Sequence, residues 1–110
     1  MERFIKGDVV VLPFPFSDLS RSKKRPALVL SVLKGEDIIL CQITSQFVKD
    51  NYAVEIDNSD FVRGTLNQAS NIRTNRLFTA DRNIISNKVG TIKTEIINKV
   101  PDKLIEILKH

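Results

Sequence analysis

Cysteine and histidine are almost missing from this chain. Of its 110 residues one is a cysteine, Cys41, and one is a histidine, His110, at the very end. A lone cysteine excludes an internal disulfide framework and suits a reducing compartment. The two residues together cannot furnish a Cys/His zinc site, a Ser-His-Asp triad or a Cys-His pair. Also missing are a phosphate-binding glycine loop, an adjacent carboxylate pair at helical spacing and a metal-ligand cluster. No apolar run approaches the ~18–20 residues of a membrane span, and the charged N-terminus has no signal-peptide apolar stretch. The expectation is a cytoplasmic protein that makes no use of a membrane.

What is present fits one domain, residues 1–110, with a modest core: 42% of residues are apolar and the mean hydropathy is -0.10. Seventeen basic against thirteen acidic residues leave a net charge of +4, a lean toward anionic partners. Gly7-Asp8 precedes Val9–Leu12, a β-branched run of strand length closed by Pro13 and Pro15, since proline offers no N–H to a ladder. Ser17 to Arg25 is polar and basic and reads as a loop. Pro26 to Leu33 is nearly continuous in apolar residues, the pattern of a central strand. A turn at 34–37 leads to a third strand, Ile38–Thr44. Tyr52–Ile56 alternates as a fourth, Thr65–Thr74 reads as a fifth, and Asn83–Ile92 holds a short sixth with a bend at Gly90.

The period then changes. Ile97, Val100, Leu104 and Leu108, supported by Ile96 and Ile105, fall at helical spacing, with Thr91 and Thr94 as candidate N-caps. Pro101 lies inside this pattern and predicts a kink or break at Lys99–Val100, because an interior proline costs a straight helix ~3 kcal/mol. Short strands followed by one amphipathic helix make the fold class mainly β (α+β): a small, strongly bent antiparallel sheet or half-open barrel capped by a C-terminal helix.

Chemistry concentrates in a few places. Arg21, Lys23, Lys24 and Arg25 put four cations within five positions, interleaved with Ser17, Ser20 and Ser22. Such a loop can contact phosphates through both charge and hydroxyls; a solvated surface loop has the same composition. Arg25 stands apart because Pro26 biases its backbone toward an extended form, and its planar fork can engage two phosphate oxygens. Its alternative is an ion pair with Asp18 or Glu36. Thr44, Ser45 and Gln46 end the third strand with three polar side chains, where a scaffold can hold donors at a cleft. Phe14 and Phe16 can stack on a base or pack in the core. Arg73 and Arg76 either line the same cleft or pair with Asp81 or the Glu55 and Asp57 side. Cys41 alternates into an apolar strand as an inert core residue.

Taken in order, these residues resemble a family. Gly7-Asp8-Val9-Val10-Val11, then Phe14-Pro15-Phe16-Ser17-Asp18-Leu19, then Lys24-Arg25-Pro26-Ala27-Leu28-Val29-Leu30 resemble the opening of the MazF/PemK/Kid-like toxins. Ile43-Thr44-Ser45-Gln46 is similar to that family's third-strand motif, and 71–81 to its later block. The resemblance implies an SH3-like barrel, usually a homodimer, acting as the toxin of a type II toxin–antitoxin system. It implies a metal-independent, sequence-selective endoribonuclease that cleaves single-stranded mRNA without a cofactor, and a cognate antitoxin that blocks the RNA cleft. It places Arg25 and Thr44 as catalytic residues, with Ser17, Lys23, Lys24, Ser45, Gln46 and Arg73 as substrate contacts. Two departures stand out: Arg21 occupies a loop position where glycine is expected, and the first loop has no histidine.

RNA brings its own nucleophile, the 2′-hydroxyl. The products the resemblance implies are a 2′,3′-cyclic phosphate and a 5′-hydroxyl. Two readings compete with the nuclease: a non-catalytic RNA-binding SH3-like barrel, and a CcdB-like toxin that grips DNA gyrase.

Overall fold

The computed structural model describes residues 3–14 and 23–110. Seven antiparallel strands form one curled sheet: β1 (Asp8–Pro13), β2 (Lys24–Val32), β3 (Asp37–Thr44), β4 (Ala53–Ile56), β5 (Phe61–Gly64), β6 (Ser70–Asp81) and β7 (Asn87–Ile92). Across the sheet they run β4-β6-β3-β2-β1-β7-β5. One helix, α1 (Thr94–Lys109), follows. The mainly β, helix-capped architecture expected from the sequence is the one observed.

Alternation along the central strands explains why their sequences are apolar throughout. Val9, Leu28, Leu30, Cys41 and Ile43 join one buried cluster with Ile96 and Val100 of the helix. Their neighbours Val10, Ala27, Val29, Ile38 and Leu40 join a second cluster with Phe4, Phe14 and Phe78. Successive side chains of a strand point to opposite faces, so a strand covered on both faces needs no polar residue. Phe14 packs edge-on against Phe78, ring centroids 5.2 Å apart, which places this ring in the core. Phe16, Ser17, Asp18 and Arg21 lie outside the described residues.

Register shifts interrupt the ladders of β1–β7, β2–β3 and β3–β6; each such irregularity bends the sheet and strengthens its twist. The bend foreseen at Gly90 is one of them. There the chain crosses β5 so closely that a Cβ on Gly90 would sit 2.6 Å from the Arg63 carbonyl oxygen. Opposite it, Gly64 adopts φ 69°, a conformation that costs other residues dearly. This crossing sets where the chain enters the turn at 65–69.

Three expectations need correction. The fifth strand does not cover Thr65–Thr74: the chain turns at Asn67, φ 66°, with the Thr65 Oγ1 accepting from the Asn67 N–H at 2.9 Å. The long strand starts at Ser70 and continues to Asp81 because Leu77–Asp81 find partners along Asp37–Cys41 of β3. A short strand, β5, precedes the turn. Arg25 is not the last loop residue but the second residue of β2, since β1 runs far enough to pair Leu12 with Arg25 and Pro13 with Lys24.

The helix also departs from its pattern. It runs unbroken through Pro101, with Lys93 at the N-cap and no side-chain cap; Thr91 instead donates from Oγ1 to Asp8 Oδ1 at 2.9 Å. Ile96 and Val100 are buried ahead of the proline, and burial of such side chains, ~1.5–3 kcal/mol each, offsets the lost backbone bond. Leu108 is 80% exposed and Ile105 51% exposed, so neither joins the core cluster, against which Ile97 and Leu104 pack.

Candidate active site

Where β1, β2 and β3 run out, their ends and the 65–69 turn enclose a groove of about 260 Å³. Val11, Pro26, Ile43 and Leu66 supply apolar lining; Lys24, Arg25, Thr44, Ser45, Gln46 and Gln68 supply the polar groups. Residues 19 positions apart in the chain, Arg25 and Thr44, thereby reach one concavity. The sheet register explains it. Ala27 faces Gln42, Leu28 faces Cys41 and Val29 faces Leu40. The two strands continue from the Ala27–Gln42 pair into Arg25–Pro26 on one side and Ile43–Thr44 on the other, and all four residues line the groove.

Local bonding leaves these groups ready to act. Thr44 Oγ1 accepts the Gln46 backbone N–H at 3.1 Å, which fixes the hydroxyl and leaves its proton to donate elsewhere. The Gln46 carbonyl accepts from Asn71 Nδ2 at 3.1 Å, tying the strand end to β6. Arg25, Lys24 and Lys23 are exposed, and none of the three has an ion pair among the described residues. Glu36 is taken by Arg82 at 3.6 Å, so it is not Arg25's partner. An unpaired guanidinium at a concave strand end is a site for an anion.

Not every candidate arrives here. Arg73 is held by Asp50, Nη2 to Oδ2 at 3.2 Å, and does not line the groove. Its partner is neither Asp81 nor the Glu55 and Asp57 side. His110 borders a different cavity, with Tyr52 and Lys103. Cys41 is buried, donates to the Arg73 carbonyl at 2.7 Å, and burial pushes its thiol up to about 12, so it is inert at neutral pH. Sequence reasoning missed Gln68, Leu66 and Asn71. The turn chemistry of Asn67 was the signal available for the first two, and their approach to the groove depends on the β5–β7 crossing.

The profile of the PemK-like, MazF-like toxins of type II toxin–antitoxin systems matches residues 5–108. The chain belongs to this family. Solved structures agree in fold. An endoribonuclease in complex with its cognate antitoxin, from a mycobacterial species, superimposes with a TM-score of 0.76 at 14% identity, covering 97% of this chain and 96% of that one. The Mycobacterium tuberculosis toxin MazF-mt6 gives 0.72 at 12% identity over 93% and 96%. A MazE–MazF structure from Deinococcus radiodurans gives 0.71 at 20% identity over 94% of each chain. No curated protein sequence matches. Among the described residues of this PemK/MazF-like chain, no helix is long and apolar enough to cross a membrane.

Proposed function

We propose that this PemK/MazF-like protein is a sequence-selective endoribonuclease that cleaves single-stranded mRNA by attack of the 2′-hydroxyl on the adjacent phosphorus. The observation that carries the reading is the meeting of Arg25, which has no ion pair among the described residues, and the Thr44 hydroxyl in one groove. The bond from phosphorus to the 5′-oxygen breaks as the bond from the 2′-oxygen forms. The products are a 2′,3′-cyclic phosphate and a 5′-hydroxyl. Arg25 stabilises the charge that grows on the phosphate oxygens, a contribution of ~3–4 kcal/mol for a preorganised donor, and the leaving 5′-oxygen takes its proton from water. Thr44 donates a further hydrogen bond. Lys23, Lys24, Ser45 and Gln46 hold the strand; Ser17, outside the described residues, is a further substrate contact in this proposal. Arg73 is paired with Asp50 and is not among the residues that line the groove.

Arginine stays protonated at any working pH, so the proton of the 2′-hydroxyl leaves to water or to a phosphate oxygen. No step passes through a metal. The protein therefore cleaves in EDTA, and its pH–rate profile lacks a bell centred at about pH 6–7; an optimum there that vanished with His110 would overturn this assignment. A homodimer and a cognate antitoxin seated in the groove complete the proposal, and the antitoxin-bound mycobacterial endoribonuclease of the same fold supports the latter. The test is incubation of a long RNA in EDTA with mapping of the new ends. Discrete cut sites with 5′-hydroxyl ends are expected. Uncut RNA that is nonetheless bound would leave a binding module, and inhibition of gyrase supercoiling would leave a gyrase-directed toxin.

A further inference from the structure

Beside the Arg25–Thr44 groove lies a second cavity of about 520 Å³, and Ser45, Gln46 and Ser70 line both. Phe47 borders it with 85% of its surface exposed. A phenyl ring that leaves the core at the end of β3, one residue beyond the groove, gains nothing for the fold by being there. Among the described residues that line the cavity none is a cation; the charged ones are Glu55, Asp57 and Asp60.

Two of those carboxylates are committed. Asp57 accepts from Ser59 Oγ at 2.5 Å and from Ser59 N–H at 2.8 Å, and Asp60 Oδ2 accepts the Asp57 N–H at 2.9 Å. The Ser59 hydroxyl, then its backbone N–H, hold Asp57 below the ordinary carboxylate range. Glu55, exposed on the edge strand β4, has no such partner among the described residues. The three do not converge into a group able to hold a metal ion. A phosphate is repelled here, whereas a base edge that donates hydrogen bonds is not.

Resting on the nuclease reading for its location, we infer that this cavity is a nucleobase subsite next to the cleaved phosphate, in which Phe47 stacks on the base and Glu55 accepts from its exocyclic amine. Adenine, cytosine and guanine each present such an amine. Uracil has no exocyclic amine, and its one edge donor, N3–H, sits between two carbonyl oxygens that the carboxylate repels, so uracil is disfavoured. The positive groove and the acidic cavity thus divide one nucleotide between them, phosphate to Arg25 and base to Glu55.

The test uses a pool of short randomised RNAs in two forms, unmodified for cleavage and 2′-O-methylated for binding without reaction. Enriched or cut molecules are sequenced for the parent, Phe47→Ala and Glu55→Gln. In the parent, one position discriminates against uracil by about tenfold. Glu55→Gln reduces that to about twofold or less, and Phe47→Ala weakens binding of the whole pool about tenfold, the loss of one stacked base. Both positions are exposed, so neither change disturbs the fold. The subsite is overturned if no position rejects uracil or if both variants keep the parent's profile. It is also overturned if Phe47→Ala shifts sedimentation of the free protein while selectivity stays put, which makes the ring a contact between copies. Selective binding without cleavage removes the nuclease and keeps the subsite; cleavage with an unaltered profile does the reverse.

Discussion

The two ends of β1 hold charged groups in opposite states. At its start Asp8, 1% exposed, accepts the Ile5 N–H at 2.9 Å and the Thr91 hydroxyl at 2.9 Å, and pairs with Lys88 at 3.2 Å. At its far end, beside Leu12, Arg25 is exposed and unpaired among the described residues. Burial of a charge is tolerable only when its lone pairs are met, and Asp8 meets that condition by stitching the segment before β1 to β7. Arg25 is exposed and so escapes that condition, and no described residue forms an ion pair with its fork. Both residues belong to stretches in which the sequence resembles the family, yet one charge builds the sheet and the other is displayed by it.

Substitutions break this contrast if it is wrong. Asp8→Ala strands Lys88 and two donors, and unfolding in urea is expected to show a loss of ~3–5 kcal/mol. Arg25→Ala removes nothing the fold uses. It should leave the unfolding midpoint in place while cleavage of a mapped RNA site falls by ~100–1,000-fold, with RNA binding largely kept. An Arg25 variant that melts early, or an Asp8 variant as stable as its parent, would reverse the assignment of roles.

Thr44 lies between these extremes, because its oxygen serves the chain and its proton serves the substrate. Thr44→Val withdraws both. The Gln46 N–H is at an exposed strand end and turns to water, so stability should change by under ~1 kcal/mol. Cleavage should fall by about tenfold, the value of one hydrogen bond to a charged group. Thr44→Ser keeps the hydroxyl and should restore most of the rate. Equal losses in both variants would assign Thr44 to packing.

How much of this was legible in the residues varies by feature. The apolar runs of β2 and β3, the motif pair Lys24-Arg25-Pro26 and Ile43-Thr44-Ser45-Gln46, and the helix-capped β architecture could all be read directly, because short-range pattern and burial on both faces write themselves into sequence. β6 could not: Arg73, Asn75 and Arg76 interrupt its pattern, and only pairing with β3 holds the strand together as far as Asp81. Arg73 itself looked like a phosphate ligand until Asp50, 23 positions away, was seen to hold it. Pro101 carried a local signal that tertiary packing of Val100 overruled. The acidic cavity at Phe47 leaves no mark at all in the chain, since its wall is assembled from the segment after β3, from β4 and the turn that follows it, and from the start of β6.

Cys41 gives the smallest and most specific test of the interior that joins the two ends. Burial holds its proton until about pH 12, well above the usual value of 9.0, whereas the unfolded chain releases it near that usual value. The folded state therefore binds more protons than the unfolded state between these limits, and stability falls as pH rises through them. Below about pH 8 the thiol contributes no pH dependence. At about pH 10 the parent should have lost ~1.4 kcal/mol relative to its neutral-pH stability through this one group, the equivalent of one pKa unit. Cys41→Ala lowers stability at every pH by leaving a small void but lacks this slope. Comparing the two proteins' urea midpoints across the alkaline range isolates the effect from lysine and tyrosine, which titrate equally in both. Parallel curves would mean that the centre of β3 opens to solvent, and with it the Leu28–Cys41 pairing from which both strands run on to the groove.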